Sequence, residues 1–242
     1  HENAPHLSEA RVEEMIADTP SWERGQRVLA EWTGYTIGRR VPGFTDENIV
    51  DDEFLNDVQF SELGLGADWG EVVGNTVWYL VGWDDVAVYY LAEWSPSERM
   101  TEAEEVKALR NEVLKPWGVD FDQITIGRGD SNSSGRRGIA ATVNQLINRA
   151  IAREIGRPRP PFEMKPPYKG PGSVKARARI ISSACVEKRI YVHQDCTRLI
   201  HSYRHWMGAN DSLKHPFDAA GYIGEHWLSP VVRSGASMTL VR

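Results

Sequence analysis

Cysteine is nearly absent. The chain of 242 residues has only Cys185 and Cys196, at a spacing that fits neither a zinc site nor a redox pair. That excludes a disulfide scaffold and leaves the expectation of two free, buried thiols in a reducing compartment. Nor is there a run of about 18 apolar residues, so no segment reads as a membrane span. A Gly-x-x-x-x-Gly-Lys-Ser/Thr phosphate loop is missing, which excludes an ATPase of that type within this chain. His-Glu-x-x-His, zinc-finger spacings and Gly-x-Ser-x-Gly are missing too, and no period of 20–50 residues recurs. The start, His1-Glu2-Asn3, has no initiator Met, basic n-region or apolar h-region, and reads as an excised piece of a longer polypeptide.

What is present is globular. Apolar residues make up 41% and charged residues 26%, which argues against disorder, and the length suits one large α/β domain or two small ones. The net charge of −6 hides an asymmetry: residues 1–127 carry 9 Lys/Arg against 26 Asp/Glu, whereas residues 128–179 carry 12 against 3. An acidic first half joined to a compact basic stretch predicts a surface that faces a polyanion, with ordinary solvated helix faces as the plain alternative.

Residues 1–58 read as a lead-in, with helices expected over Ser8–Ala17 and Trp22–Trp32 and a Gly/Pro-containing stretch before the acidic Asp51-Asp52-Glu53. From residue 59 the pattern is that of a domain. Leu63 to Asp68, Thr76 to Gly82 and Val86 to Trp94 read as three strands, with Asp84-Asp85 as hairpin residues between the last two. Thr101-Glu102-Ala103-Glu104 has the form of a capping box, and Val106, Leu109, Val113 and Leu114 follow at helical spacing. A strand over Gln123–Gly129 is expected to point Ile124 and Ile126 one way. A helix through Ile139–Ile151, a strand near Phe162–Lys165, a helix over Ser173–Lys188, a strand at Ile190–His193 and helices over Cys196–Trp206 and Phe217–Leu228 complete the chain. Antiparallel strands followed by βα alternation predict an α/β fold, a mixed sheet with an antiparallel meander and parallel strands flanked by helices. The Pro-rich stretch 158–171 reads as a stiff surface connection.

Three aspartates fall at element ends: Asp68 after the first strand, Asp130 after the fourth, and Asp218 opening the last helix. If the first and fourth strands are parallel neighbours, Asp68 and Asp130 emerge together where ligands bind in open α/β sheets. Crowded carboxylates must be neutralised, and all-oxygen ligands suit Mg²⁺ or Mn²⁺. A pair of such ions serves the hydrolysis of a phosphodiester. Taken singly, each aspartate is equally a turn or helix-start residue. His215, three before Asp218, is a further candidate for metal or phosphate contact, or an exposed neighbour of the helix start. Glu225 lies seven residues after Asp218, too far along the helix for direct contact with a metal. Arg136, Arg137, Lys165, Lys169, Lys175, Arg177 and Arg179 are the candidates for DNA contact, reading the backbone of a duplex.

These pieces together resemble the nuclease domain of the large terminase subunit of tailed bacteriophages. The resemblance rests on Leu65-Gly66-Ala67-Asp68-Trp69-Gly70, on Gly129-Asp130-Ser131-Asn132, on Arg189 to His193 with Cys196, Leu199, Ile200 and Tyr203, and on His215-Pro216-Phe217-Asp218-Ala219-Ala220-Gly221-Tyr222. It covers essentially the whole chain. It implies an RNase H-like fold over 59–242 and a lead-in over 1–58 from an absent ATPase motor domain. The activity implied is Mg²⁺- or Mn²⁺-dependent endonuclease cleavage of concatemeric viral DNA during packaging. Asp68, Asp130 and Asp218 would be the catalytic metal ligands, with His215 beside them. The implied partners are double-stranded DNA and, in the full-length protein, the ATPase domain, small terminase subunit and portal, in the host cell cytoplasm with no membrane. Many family members carry an acidic or amide residue four before the last aspartate. Lys214 stands there in this chain, a departure that bears on the second metal ion. A non-catalytic DNA-docking module, or another RNase H-like nuclease such as a junction resolvase, are the alternatives.

Overall fold

The computed structural model describes residues 8–19, 38–70, 73–130 and 141–229. Helix α1 (Glu9–Asp18) comes first, with the Ser8 hydroxyl accepting from the Arg11 amide. The helix expected over 22–32 lies outside the described residues. Then follow β1 (Ile49–Val50), α2 (Asp52–Leu55), β2 (Glu62–Asp68), β3 (Val77–Trp83), β4 (Val88–Trp94) and α3 (Glu102–Ala108). A wider helical turn over Leu109–Leu114 extends α3. The chain goes on through β5 (Ile124–Gly129), α4 (Val143–Glu154), β6 (Met164–Lys165), α5 (Ser173–Val186), β7 (Ile190–His193), α6 (Thr197–His205) and α7 (Lys214–Leu228).

The strands form one mixed seven-stranded sheet in the order β1-β7-β4-β3-β2-β5-β6. β2, β3 and β4 are the antiparallel meander. β5 lies parallel to β2, β6 to β5, β7 to β4 and β1 to β7. Local chemistry sets the meander. The Asp84 carboxylate accepts from the amides of Val86 and Ala87, while Asp85 takes a left-handed φ of 75°, closing the β3–β4 turn. Thr101 and Glu104 cap α3 reciprocally, and Thr142 with Gln145 does the same for α4.

Each face of the sheet has its own core. On one face Leu65, Trp78, Leu80 and Tyr89 pack against Val106, Leu109 and Val113 of the α3 segment and Ile147 and Ile151 of α4. On the other, Val77, Tyr79, Val88 and Tyr90 pack against Ile181 of α5, Leu199 and Tyr203 of α6 and Phe217 and Ile223 of α7. Both cysteines are free and buried in this second core.

Three details differ from the sequence expectation. First, the pairing of β5 with β2 shifts register between Leu63 and Gly64, so Thr125 is an extra residue. Ile124 and Ile126 therefore point to opposite faces, Ile124 toward α3 and α4 and Ile126 toward α7. Second, the sheet extends into the lead-in. β1 adds an edge strand, Val41 and Phe44 enter one core and Val50 and Leu55 the other. The buried Asn48 amide donates to the carbonyls of Cys185 (2.9 Å) and Ile190 (3.1 Å). A two-residue strand carries too little alternation to be read from sequence. Third, α7 begins at Lys214, three residues before the expected start. Pro216 falls at its third position, where the missing N–H has no partner to lose, so proline does not mark the boundary.

The last difference matters for the site, because it moves Asp218 into the second turn of α7. That helix crosses β2 closely. A Cβ on Gly66 would lie 2.5 Å from Ile223 Cγ2 and 2.7 Å from the Ala219 carbonyl oxygen, and one on Gly64 would lie 2.8 Å from Trp227. Gly66→Ala is expected to push α7 away from β2 and destabilise the chain by about 1–3 kcal/mol, as read in a urea melt. Unchanged stability would mean that the approach is not tight.

Candidate active site

The parallel pairing of β2 and β5 places two aspartates side by side. Ala67 pairs with Gly129, and the amide of Asp130 donates to the Ala67 carbonyl at 3.3 Å, so Asp68 and Asp130 leave adjacent strands at the same end. Asn144, buried in the first turn of α4, joins the two strand ends. Its amide donates to the Gly129 carbonyl (2.8 Å) and its oxygen accepts from the Trp69 indole (3.0 Å). A Cβ on Gly129 would lie 2.9 Å from both Asn144 Oδ1 and Trp69, so the clamp needs glycine there. Sequence reasoning missed Asn144. The available signal was an amide inside a helix whose N-terminus Thr142 and Gln145 already cap.

α7 brings the third aspartate together with Lys214 and His215. His215 Nδ1 lies 2.6 Å from Asp68 Oδ2, and Lys214 Nζ lies 2.8 Å from Asp218 Oδ2, one helical turn away. The other oxygen of Asp218 faces Arg177 Nη1 of α5 at 3.1 Å. Arg177 also donates from Nε to Glu225 (3.3 Å) and from Nη2 to the Tyr168 carbonyl (3.4 Å), and its guanidinium lies 4.7 Å from the centroid of the Tyr222 ring. From the Pro-rich stretch, Lys169 Nζ reaches Asp130 Oδ2 at 2.5 Å and stands 5.3 Å from the same Tyr222 ring.

The electrostatics show the crowding. Burial raises the Asp68 carboxyl above its ordinary value; the His215 hydrogen bond pulls it down, while the charges of Asp218 and Asp130 push it up further. Burial would lower Lys214, but its hydrogen bond and charge contact with Asp218, helped by Asp68 and Asp130, leave the ammonium above its ordinary pKa. Tyr222 is raised by burial and by all three aspartates, so its phenol stays protonated. Asp68, Asp130 and Asp218 therefore act on common neighbours although they are distant in sequence.

The structure also reassigns several candidates. Arg177 is 1% exposed and engaged by two carboxylates, which leaves it nothing to offer DNA. It joins Glu225 to the site through Asp218. Lys169 is a partner of Asp130 before it is a DNA contact. Lys165, Lys175 and Arg179 are exposed, while Arg136 and Arg137 lie outside the described residues. Beside the site, Arg128, Lys165, Pro166, Tyr168, Glu225 and His226 line a cavity of ≈ 350 Å³.

A hard divalent cation fits the donor chemistry, which is all carboxylate with one imidazole. Among the described residues, however, no three or more His, Cys, Asp or Glu side chains form a group ready to hold a metal ion. Two lysines and an arginine engage Asp130 and Asp218 instead, and His215 engages Asp68. An ion held by one or two carboxylates, with water completing its shell, is the arrangement compatible with these residues.

No protein-family model matches the chain. No curated protein matches it in sequence. Solved structures do match. A large terminase from a thermophilic bacteriophage superposes with a TM-score of 0.60 at 15% identity, over 91% of this chain and 52% of that one. The same phage protein in complex with ATP-γ-S gives 0.58 at 15%, over 93% and 54%. The P22 large terminase nuclease domain gives 0.54 at 13% identity, over 83% of this chain and 98% of that one. The fold is thus the RNase H-like α/β architecture of large terminase nuclease domains, and the chain spans about half the length of the thermophilic phage's large terminase.

The raised pKa of Asp68 has a consequence for stability. Its ionised form is disfavoured in the fold, so it costs stability above the raised value and nothing below the unfolded value of about 3.9. Asp68→Asn keeps an acceptor for His215 and removes the charge. In EDTA at pH 7 it should melt above the parent, with the gain gone near pH 3. An equal or lower melting temperature at pH 7 would contradict the crowding.

Proposed function

We propose that the chain is the nuclease part of a terminase-like protein and hydrolyses phosphodiester bonds of duplex DNA with Mg²⁺ or Mn²⁺ as cofactor. The observation that carries this reading is the meeting of Asp68, Asp130 and Asp218, from β2, β5 and α7, at the carboxyl end of paired parallel strands. The fold is shared with large terminase nuclease domains, which supports the same reading. A bound divalent ion would neutralise the attacked phosphate and lower the pKa of a bound water. Asp68 and Asp130 would hold it, with Asp218 beside them.

The remaining work belongs to the chain's own side chains. Asp68 engages one nitrogen of His215, leaving the other ring nitrogen to meet a phosphate oxygen or to take a proton from the attacking water. Lys214 keeps positive charge at the cleft, where charge develops on the phosphate. The exposed Lys165, Lys175 and Arg179 gather the backbone of the duplex. In a full-length protein the lead-in over 1–58, whose residues 41–55 pack into the sheet and cores of the domain over 59–242, would connect that domain to an ATPase motor. The substrate would be concatemeric viral DNA, and the small terminase subunit and portal would be partners in the host cytoplasm.

The engagement of Asp130 and Asp218 by lysines, and of Asp68 by His215, favours a second reading, a DNA-docking module that keeps the sheet without cutting. Supercoiled plasmid incubated with the chain and Mn²⁺, beside an EDTA control, separates the two. The nuclease reading expects Mn²⁺-dependent nicking that falls about 10²–10³-fold in Asp68→Asn and Asp130→Asn. Salt-sensitive binding without nicking would leave the docking module. For the basic face, Lys175→Ala and Arg179→Ala are each expected to weaken duplex binding uniformly across sequences. Each should lower the slope of log K against log salt by about 1, as measured by fluorescence anisotropy. An unchanged slope would remove that residue from the interface.

A further inference from the structure

Strand β5 carries a cation just ahead of its aspartate. Ile126 faces α7, so Arg128, two residues on, faces the same helix. In the parallel register of β5 and β6, Arg128 pairs with Lys165. Residues paired in this way project from one face of a sheet, so two cations stand side by side, which is unfavourable unless an anion joins them. Neither has an ion pair among the described residues. Arg128 is partly buried, and its guanidinium reaches only the Gly127 carbonyl (Nη1, 3.2 Å) and His226 Nδ1 (Nη2, 3.4 Å). Other partly or fully buried guanidiniums are compensated: Arg110 meets Asp120 and Glu154, and Arg177 meets Asp218 and Glu225. Arg128 has lost water without gaining a counter-charge.

The two cations open on the cavity of ≈ 350 Å³ beside the aspartates. Glu225 is the one carboxylate among its lining residues, and Arg177 Nε engages it at 3.3 Å. Tyr222 is the wall shared with the aspartates, because its ring lines the cavity while Lys169, the partner of Asp130, stands 5.3 Å from the same ring. An anion between Arg128 and Lys165 would thus sit next to whatever the aspartates hold.

We propose that this cavity is a binding site for a backbone phosphate of duplex DNA, held between Arg128 and Lys165 beside the phosphate that meets the aspartates. The spacing along β5 fits. Arg128 and Asp130 are about 6.6 Å apart at the usual rise per strand residue, and each DNA strand carries a phosphate per about 3.4 Å of axis, so a near neighbour on the same strand falls there. Arg128 supplies a planar fork for two phosphate oxygens and Lys165 a point charge. The inference rests on the nuclease reading for what lies at the aspartates, but binding in the cavity is measurable without cutting.

The test is fluorescence anisotropy of a labelled linear duplex with the full chain in EDTA. Arg128→Gln and Lys165→Gln should each weaken binding about tenfold. Because both hold one phosphate, the double variant should lose less than the product of the single losses. Arg128→Gln should also flatten the dependence of log K on log salt, and Arg128→Lys, which keeps the charge, should restore it. Unchanged affinity in Arg128→Gln would remove the cavity from the interface, and losses that multiply in full would give the two cations separate phosphates; either result overturns the proposal. Circular dichroism checks folding, and Lys165→Gln, at an exposed position, decides the matter if Arg128→Gln does not fold. Inorganic phosphate, titrated at constant ionic strength, separates the sources of the anion. Displacement of the duplex only at millimolar levels supports a DNA linkage, whereas displacement at micromolar levels that is lost in Arg128→Gln would assign the cavity to free phosphate and overturn the DNA assignment. Plasmid nicking with Mn²⁺ keeps the two ideas apart. Nicking by the parent with unchanged duplex affinity in Arg128→Gln would sink this inference alone. Binding that depends on Arg128 in a parent that never nicks would sink the nuclease reading and leave the phosphate site.

Discussion

Like charges brought together at one sheet edge must be neutralised, and this requirement organises the site. Two strands in parallel register deliver Asp68 and Asp130, and α7, lying close on Gly64 and Gly66, delivers Asp218. The chain answers with four positive or hydrogen-bonding groups from three segments: Lys169, Arg177, Lys214 and His215. They exist because the carboxylates do, and Asp68 is still held in a state that costs stability at neutral pH. A local cost of this kind is expected where side chains are kept for chemistry rather than for packing.

Arg177 shows how one buried side chain can connect elements that sequence keeps apart. Its donors reach Asp218 and Glu225 of α7 and the Tyr168 carbonyl of the Pro-rich stretch, and its plane covers Tyr222. A buried guanidinium with fewer partners would be strongly unfavourable, whereas here its fork matches two carboxylates. Gly221 leaves the room for its aliphatic stem, since a Cβ there would overlap Arg177 Cδ.

Much of this was legible in the sequence. The run of apolar and β-branched residues over 63–94 and the Asp84-Asp85 turn give the meander, and the Thr101 capping box gives the crossover helix that makes β5 parallel to β2. From that topology the meeting of Asp68 with Asp130 follows without coordinates. The rest needed three dimensions. Whether a cation in a basic stretch faces solvent or carboxylates depends on which helix face meets the sheet, so Arg177 and Arg179, two residues apart, end in opposite surroundings. The bulge at Thr125 inverts Ile126 with no local composition to announce it. Asn144 acts through a carbonyl and an indole supplied by other segments.

The position of β1 has a mechanical meaning. It lies at one edge of the sheet, separated from β2 by β7, β4 and β3, hence about 20 Å from the aspartates at the usual strand spacing. A pull applied to the chain ahead of residue 38 is received first by the Arg40 amide on the Trp206 carbonyl, the Gly43 amide on the Ser182 hydroxyl and the buried Val41 and Phe44, and only then by the β1 ladder and the Asn48 amide. None of these contacts belongs to the β2–β3 and β2–β5 ladders. Tension arriving from upstream is therefore taken up on helices α5 and α6 and the far edge of the sheet, away from the ladders that set the spacing of the carboxylates.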